Sequence, residues 1–261
     1  MAEVMQISIV MPAFNAVKTI AESIESVQKQ TYPYWELLVL DDASTDRTRE
    51  VVDKMSASDS RIHLYTEDAN HGVAFERNKG VHKARFDWIA FLDSDDCWTK
   101  DKLEKQVHQV QLNSVSNAPS LYYTGSAFMN ASGQRLPYIL HVPSRLTASD
   151  ILKQNLISCS SALVRKELMI RHPMPISEKK PIHEDFATWI AILKEGDAVG
   201  IDEPLLIYRV SSNSKSGNKL KAATMHWNSM RMNEVSISAS LYNMFFYIAR
   251  GLRKYHSILK Q

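Results

Sequence analysis

Cysteine is scarce: Cys97 and Cys159 are the only two in 261 residues. They are too few and too far apart for a disulfide framework or a zinc site, which fits a reducing compartment. Charge of one sign is also missing. Lysine and arginine number 31 against 29 aspartates and glutamates, a net charge of only +2. No basic excess exists to neutralise a phosphate backbone, so no nucleic-acid partner is expected. No apolar run approaches the ~20 residues of a membrane helix. The first residues, MAEVMQISIVMPAFN, carry neither a basic n-region nor a small-residue cleavage site. A cytoplasmic protein is expected. Internal repeats and low-complexity tracts are lacking too. What is present, 44% hydrophobic and 23% charged residues, is enough to bury a core in one large domain, or in one domain with a small subdomain.

The first half alternates between two periodicities. Ile7–Met11, Glu36–Leu40, Ile62–Tyr65 and Trp88–Leu92 are short apolar runs that read as buried strands. Between them, residues 17–30 place Ile20, Ile24 and Val27 on one helical face, Ser44-Thr45-Asp46 offers N-caps for a helix to about Met55, and Ala74–Lys83 reads as a third helix. Strands alternating with helices predict βαβ units and a mainly parallel sheet, with ligands beyond the carboxyl ends of the strands. Polar clusters fall at those ends: Pro12–Asn15, Asp41-Asp42 and Asp93–Asp96. The second half is less regular. Strands are expected at Leu121–Thr124, Ala127–Met129, Ser161–Val164 and Pro204–Val210, a hairpin turn at Ser132-Gly133, and helices at Ala148–Asn155 and Asp185–Leu193. A polar loop over 211–219 leads to a helical tail.

The stretch IAFLDSDDCW crowds Asp93, Asp95 and Asp96 directly after a buried run. Carboxylates so close raise one another's pKa unless a cation lies between them. Two readings stand for Asp93-Ser94-Asp95: hard oxygen ligands for Mg2+ or Mn2+, or a solvated turn before a helix. Its position at a strand end favours the site. Asp41-Asp42 either accepts hydrogen bonds from a base or ribose, or caps the following helix, and one stretch can do both.

Taken together, ISIVMPAFNA, SVQKQTYPYWELLVLDDASTD, NHGVAFERNKG, FLDSDDCW and HEDFATWI, in that order over residues 7–193, resemble the family 2 inverting glycosyltransferases. The later SCSSALV, YRVSSNSKSGNKLKAA and GLRKY resemble the small bacterial members that build capsules, O-antigens and teichuronic acid-like polymers. The resemblance implies the GT-A fold, with a Rossmann-like mainly parallel sheet flanked by helices. It divides the chain into a catalytic domain over 1–220 and a C-terminal helical tail over 221–261. The domain's nucleotide-binding half is about 1–98 and its acceptor half about 99–220.

The resemblance also implies roles. Pro12, Ala13, Phe14 and Asn15 line the nucleotide base, with Phe14 stacking where the family usually has tyrosine. Asp42 hydrogen-bonds the base, expected to be uracil, with Asp41 in support. Asp93 and Asp95 are the D-x-D pair, Asp95 contacting Mn2+ or Mg2+, and Ser94 lies with them against the donor. Arg77 either helps bind the donor or forms a salt bridge, and the latter is the more ordinary role. Asp185 matches the catalytic base that takes the proton from the acceptor hydroxyl. Glu184 and His183 adjoin it; either touches the acceptor or merely begins a helix. Trp98 packs beneath the acidic turn or lines the sugar pocket. Arg209 or Lys215 offers charge to the diphosphate or stays solvated. Trp189 is expected in the core.

A nucleotidyltransferase would carry a glycine-rich basic loop after its first strand, where this chain has PAFNA. A non-catalytic nucleotide-sugar-binding scaffold would have lost the base or the metal pair. The aromatic and basic residues over 242–260 suit an interfacial helix on anionic lipid, or a helix packed on protein. The expected partners are a nucleotide-sugar donor, a saccharide or lipid-linked saccharide acceptor, and peripheral contact with the inner face of the cell membrane.

Overall fold

The computed structural model describes residues 4–113, 119, 121–177, 180–210 and 219–259, with side chains described as far as Ala249. The elements are β1 (Ile7–Ala13), α1 (Ile20–Gln28), β2 (Trp35–Asp41), α2 (Thr48–Ser58), β3 (Ile62–Thr66), α3 (Val73–Lys83), β4 (Trp88–Phe91), β5 (Cys97–Trp98), α4 (Lys102–Leu112), β6 (Leu121–Met129), β7 (Arg135–Leu140), β8 (Arg145–Leu146), α5 (Ala148–Ile151), β9 (Leu163–Arg165), α6 (Lys166–Arg171), α7 (Glu184–Leu193), β10 (Ala198–Arg209), α8 (Lys219–Met232) and α9 (Ile237–Leu259).

One sheet holds them in the order β3-β2-β1-β4-β9-β6-β10-β5, with β7 on β6 and β8 on β10. β3, β2, β1 and β4 run parallel, joined by α1, α2 and α3. The short β9 then pairs antiparallel with both β4 and β6, so it is the seam between two parallel groups, the second being β6 and β10. The apolar runs that read as strands are buried throughout in β1, β2 and β4, as a sheet covered on both faces requires.

Two cores result. Ile7, Ile9, Met11, Leu37 and Val39 face α1 and α2. Val10, Leu38, Leu40 and Phe91 face the other way, towards Phe186 and Trp189 of α7. Trp189 is fully buried, its ring 6.2 Å from that of Phe91. On this second face α3 lies hard against β1: a Cβ on Gly80 would come within 2.4 Å of Val10 Cγ1. Glycine thus sets how deep the helix lies, and with it the depth of every side chain the helix sends towards the strand ends.

Several expected bounds move. Leu121–Thr124 and Ala127–Met129 form one continuous strand, because Gly125 and Ser126 pair with β10 like their neighbours. The helix expected over Ala148–Asn155 ends at Ile151. The strand expected from Ser161 begins at Leu163, after a 3-10 turn over Cys159–Ser161. β10 starts at Ala198 rather than Pro204, and passes an irregularity between Ile201 and Leu206. Two helices, α4 and α6, carried no helical signal strong enough to predict. The loop expected at 211–219 lies, with Lys215, outside the described residues except for Lys219, which opens α8.

Candidate active site

The carboxyl ends of β1, β2 and β4, the turn before β9 and the start of α7 surround one cleft of ≈ 560 Å³. Its lining includes Pro12, Ala13 and Phe14 from the end of β1, Asp42 after β2, Arg77 of α3, Asp93, Ser94 and Asp95 after β4, and His183, Glu184 and Asp185 at the start of α7. Residues from 12 to 185 that were read separately along the chain therefore share one cavity. Phe14 is 50% exposed, an aromatic face left open at the cleft edge.

Three expected residues fall outside the cleft lining. Asn15 adopts φ 50° and turns away; its Oδ1 accepts from the Thr45 and Asp46 amides at 2.8 and 3.3 Å. It ties the β1 turn to the β2 turn instead of lining the base. Asp41 is wholly buried and accepts from Arg49 Nε at 2.6 Å and from the Ser44 amide at 3.1 Å. It supports the turn from below. Trp98 belongs to the core, with Nε1 donating to the Ser160 carbonyl at 2.8 Å and Lys102 Nζ 3.8 Å from its ring centroid. The packing reading of Trp98 is the correct one, since a ring enclosed in this way has no face left for a sugar.

Asp42 holds the entrance to α3. Its two oxygens accept the amides of His71 and Gly72 at 2.6 and 2.8 Å. Gly72 is at φ 87°, a conformation that glycine adopts without a Cβ penalty.

Arg77 is 4% exposed. One arm donates to Asp93 Oδ1 at 2.5 Å and the other to Glu184 Oε1 at 3.3 Å. The next residue, Asn78, exchanges paired hydrogen bonds with the backbone of Met174, both 2.8 Å. Adjacent positions on α3 thus bind both the acidic turn and the segment leading to α7.

The acidic turn is held from beneath. Asp96 is 1% exposed; one oxygen accepts from Ser160 Oγ at 2.7 Å and the other from the Arg209 amide at 2.8 Å. Ser160 Oγ also accepts from the Asp93 amide at 3.0 Å. Burial, and then Asp93 and Asp95, push the Asp96 carboxyl well above the usual range. Arg209 lines the cleft but its guanidinium is occupied, by Glu22 at 2.5 Å and by the Asp95 carbonyl at 2.8 Å. It clamps the turn rather than offering a free cation to a ligand. Ser160 and Glu22 went unnoticed in the sequence; a serine in SCSSALV and a glutamate on a surface helix carry no signal of their own.

Asp93 and Asp95 remain open to the cleft, and burial followed by Asp93 raises the Asp95 carboxyl to about 6. Two hard, anionic oxygen donors that repel each other suit a divalent cation whose other ligands are water and diphosphate. Among the described residues no set of three or more His, Cys, Asp or Glu forms a fuller shell. The residues present therefore fit Mg2+ or Mn2+ as two-carboxylate ligands.

Asp185 lies in the first turn of α7, with Oδ1 accepting the Phe186 amide at 2.7 Å. Burial and neighbouring Glu184 raise its carboxyl above the ordinary range, while Arg77 works in the opposite sense. His183 is the N-cap residue, its amide donating to Ser229 Oγ at 3.0 Å. The raised Asp185 and the acidic pair stand in one cleft, which is the arrangement general-base chemistry beside a charged leaving group needs.

Residues 8–170 match the model of Glycosyl transferase family 2. The chain belongs to that family. It is 38% identical over 222 residues to TuaG of Bacillus subtilis (strain 168), a glycosyltransferase assigned to teichuronic acid biosynthesis, covering 85% of each chain. It is 35% identical to the Escherichia coli UDP-Glc:alpha-D-GlcNAc-diphosphoundecaprenol beta-1,3-glucosyltransferase WfgD, over 95% of this chain and 94% of that one. Among solved structures, Staphylococcus aureus TarS 1–349 in complex with UDP-GlcNAc superposes with a TM-score of 0.70 at 19% identity, over 87% of this chain and 65% of that chain. The mannosyltransferase PcManGT of Pyrobaculum calidifontis, in complex with GDP-Man and Mn2+, gives 0.70 at 17% identity, over 90% and 66%. The chain thus spans just under two thirds of those solved chains. The fold they share with it is GT-A, an α/β fold with a mostly parallel central sheet flanked by helices.

Proposed function

We propose that this family 2 member is a metal-dependent inverting glycosyltransferase. It moves a sugar from a UDP-sugar to a lipid-linked saccharide in surface polysaccharide assembly. The observation that carries the reading is that Asp185, its carboxyl raised, lines the same cleft as Asp93 and Asp95.

Phe14 stacks on the base, Asp42 and the turn at Pro12-Ala13 hold the nucleoside, and Asp95 with Asp93 takes Mn2+ or Mg2+. When bound, the ion neutralises charge on the departing diphosphate. Asp185 accepts the proton of the acceptor hydroxyl as that oxygen attacks the anomeric carbon from the face opposite the leaving group. A single base with opposite-face attack inverts the anomeric centre, so an α-linked donor gives a β-linked product. The UDP assignment and the lipid-linked acceptor are both supported by the UDP-Glc and diphosphoundecaprenol named for WfgD.

The tail supports a peripheral place on the inner face of the membrane. Along α9, Ile237, Leu241, Phe245 and Ile248 are 61, 60, 69 and 52% exposed, a stripe at helical spacing. The basic side chains from Arg250 to Lys260, invoked above for anionic lipid, lie outside the described ones. Among the described residues no helix is long and apolar enough to cross a membrane.

The test is melting temperature against UDP, GDP and dTDP, with Mn2+ and with chelator, in the native chain and in Asp95→Ala, followed by turnover of UDP-sugars. A metal-dependent rise with UDP that Asp95→Ala abolishes supports the reading, because a ligand of the native state stabilises it by mass action. A rise with GDP or dTDP alone overturns the uracil assignment. Nucleotide binding without turnover of any donor and acceptor pair points to a scaffold.

A further inference from the structure

Glu76 lines the cleft, and none of these roles employs it. It lies in the first turn of α3, its amide donating to the Gly72 carbonyl at 3.2 Å. It is 0% exposed yet borders the cleft, and both carboxyl oxygens lack any hydrogen-bond partner among the described residues. Buried carboxyls are ordinarily hydrogen-bonded, and one with two unspent oxygens calls for an explanation.

Among the described residues no neighbouring cation supplies it. Arg77, next along the helix, is committed to Asp93 and Glu184. Lys79 pairs with Glu67. The His71 ring packs on Phe75, their centroids 4.6 Å apart. Asp42 and Asp41, at the end of β2, repel it, and Arg49 is spent on Asp41. Burial and those two aspartates raise its carboxyl to about 7. Near neutral pH, then, a large share of Glu76 carries a proton.

We propose that Glu76 is a base-reading specificity residue that recognises the imide edge of a uracil-type pyrimidine. The inference rests on the donor-site reading above. A protonated carboxyl presents one acceptor beside one donor. The edge of uracil presents the complement, an N–H beside a carbonyl. An ionised carboxylate presents two acceptors and fits instead the paired N–H groups of guanine. Asp42 spends one lone pair of each oxygen on a backbone amide and keeps the others for the ribose side of the nucleoside, whereas Glu76 has both oxygens unspent for the base.

The experiment is calorimetry of UDP and GDP with Mn2+ on the native chain, Glu76→Gln and Glu76→Ala, between pH 6.5 and 8.5. Glutamine keeps a donor beside an acceptor at every pH and serves as the reference for the titration of the ligand itself. The expected result has three parts. Relative to Glu76→Gln, native affinity for UDP falls by about tenfold across that range as the carboxyl ionises. Glu76→Gln holds UDP as tightly as the native chain does at pH 6.5. Glu76→Ala loses about tenfold in UDP affinity, with a smaller loss for GDP.

Equal UDP affinity and an equal UDP-to-GDP ratio in all three proteins would overturn the role of Glu76 while leaving the donor site standing. Native preference for GDP, strengthening with pH, would overturn the edge assigned. No nucleotide binding to the native chain would overturn the donor site and this proposal together. Should Glu76→Ala fail to fold, the pH dependence of the native chain against Glu76→Gln still decides.

Discussion

Arg77 Nη2 lies 2.5 Å from Asp93 Oδ1, a buried permanent charge set against one member of the acidic pair. Its other arm reaches Glu184, the neighbour of the proposed base. The two chemical ends of the cleft, some ninety positions apart in the chain, are therefore joined through a single guanidinium.

Removing that guanidinium takes the buried cation from beside Asp93 and Glu184. Arg77→Ala is expected to lower unfolding free energy by about 3 kcal/mol, the usual cost of breaking a buried ion pair from one side. Arg77→Lys restores charge but not the fork, because one ammonium lacks the geometry for both acids. Denaturant unfolding should rank native above Lys above Ala, and turnover should fall in both variants.

Asp185→Asn should lower kcat by about a thousandfold, within the range of a lost general base, while UDP affinity in calorimetry stays nearly native. Its carboxyl is raised by burial and by Glu184. The base works only when ionised, so activity should fall as pH drops. The midpoint of that fall in a pH–rate profile should lie above the ordinary carboxylate range. A normal rate in the asparagine variant would remove Asp185 from the mechanism.

His226 sits between Phe186 and Tyr247, with ring centroids 4.3 and 4.1 Å away, and its Nε2 bonds the Leu152 carbonyl at 3.0 Å. Burial lowers its pKa from 6.5 to about 4. The folded state then binds fewer protons than the unfolded chain, so stability is complete above the unfolded pKa and lost as pH falls towards 4. About 3 kcal/mol should disappear across that window. Melting curves from pH 7 to 4 should show a shallower acid loss in His226→Gln, which cannot charge.

Leu241→Ser with Phe245→Ser removes two side chains from the exposed stripe of α9. Stability should change by less than about 0.5 kcal/mol per site, as surface positions do. Sedimentation with anionic liposomes should fall sharply, while turnover on a water-soluble acceptor persists. Undiminished sedimentation would place the membrane contact elsewhere.

The half of the fold from β1 to β4 could be read from the chain because its strands are apolar on both faces and its helices keep one stripe. Beyond β4 that grammar weakens. α4 buries Lys102 and Gln106, joined at 2.8 Å, so its inner face looks polar. β6 contains buried Thr124 and Ser126, and so reads as two pieces. At the site, the family resemblance singled out Asp42, Asp93 and Asp185, each following or opening an element, and the structure brings the three to one cleft. The bonds that hold the site together were not legible. Arg209 meets Glu22 across 187 positions, and Glu76 lies unmarked within an ordinary helical pattern. Such pairings depend on where the sheet brings strand ends together, which no local window contains.

The tether beneath the acidic turn bears on handling the protein as well as on its chemistry. Asp96 is fastened to Ser160 and to the Arg209 amide, and Arg209 to the Asp95 carbonyl. Backbone and buried groups make these bonds, so the Asp95 side chain has no part in them. Substituting Asp95 should thus yield an inert protein with its scaffold intact. Asp185→Asn, which leaves the acidic turn untouched, is the companion variant for capturing donor and acceptor side by side, unreacted, in crystallography.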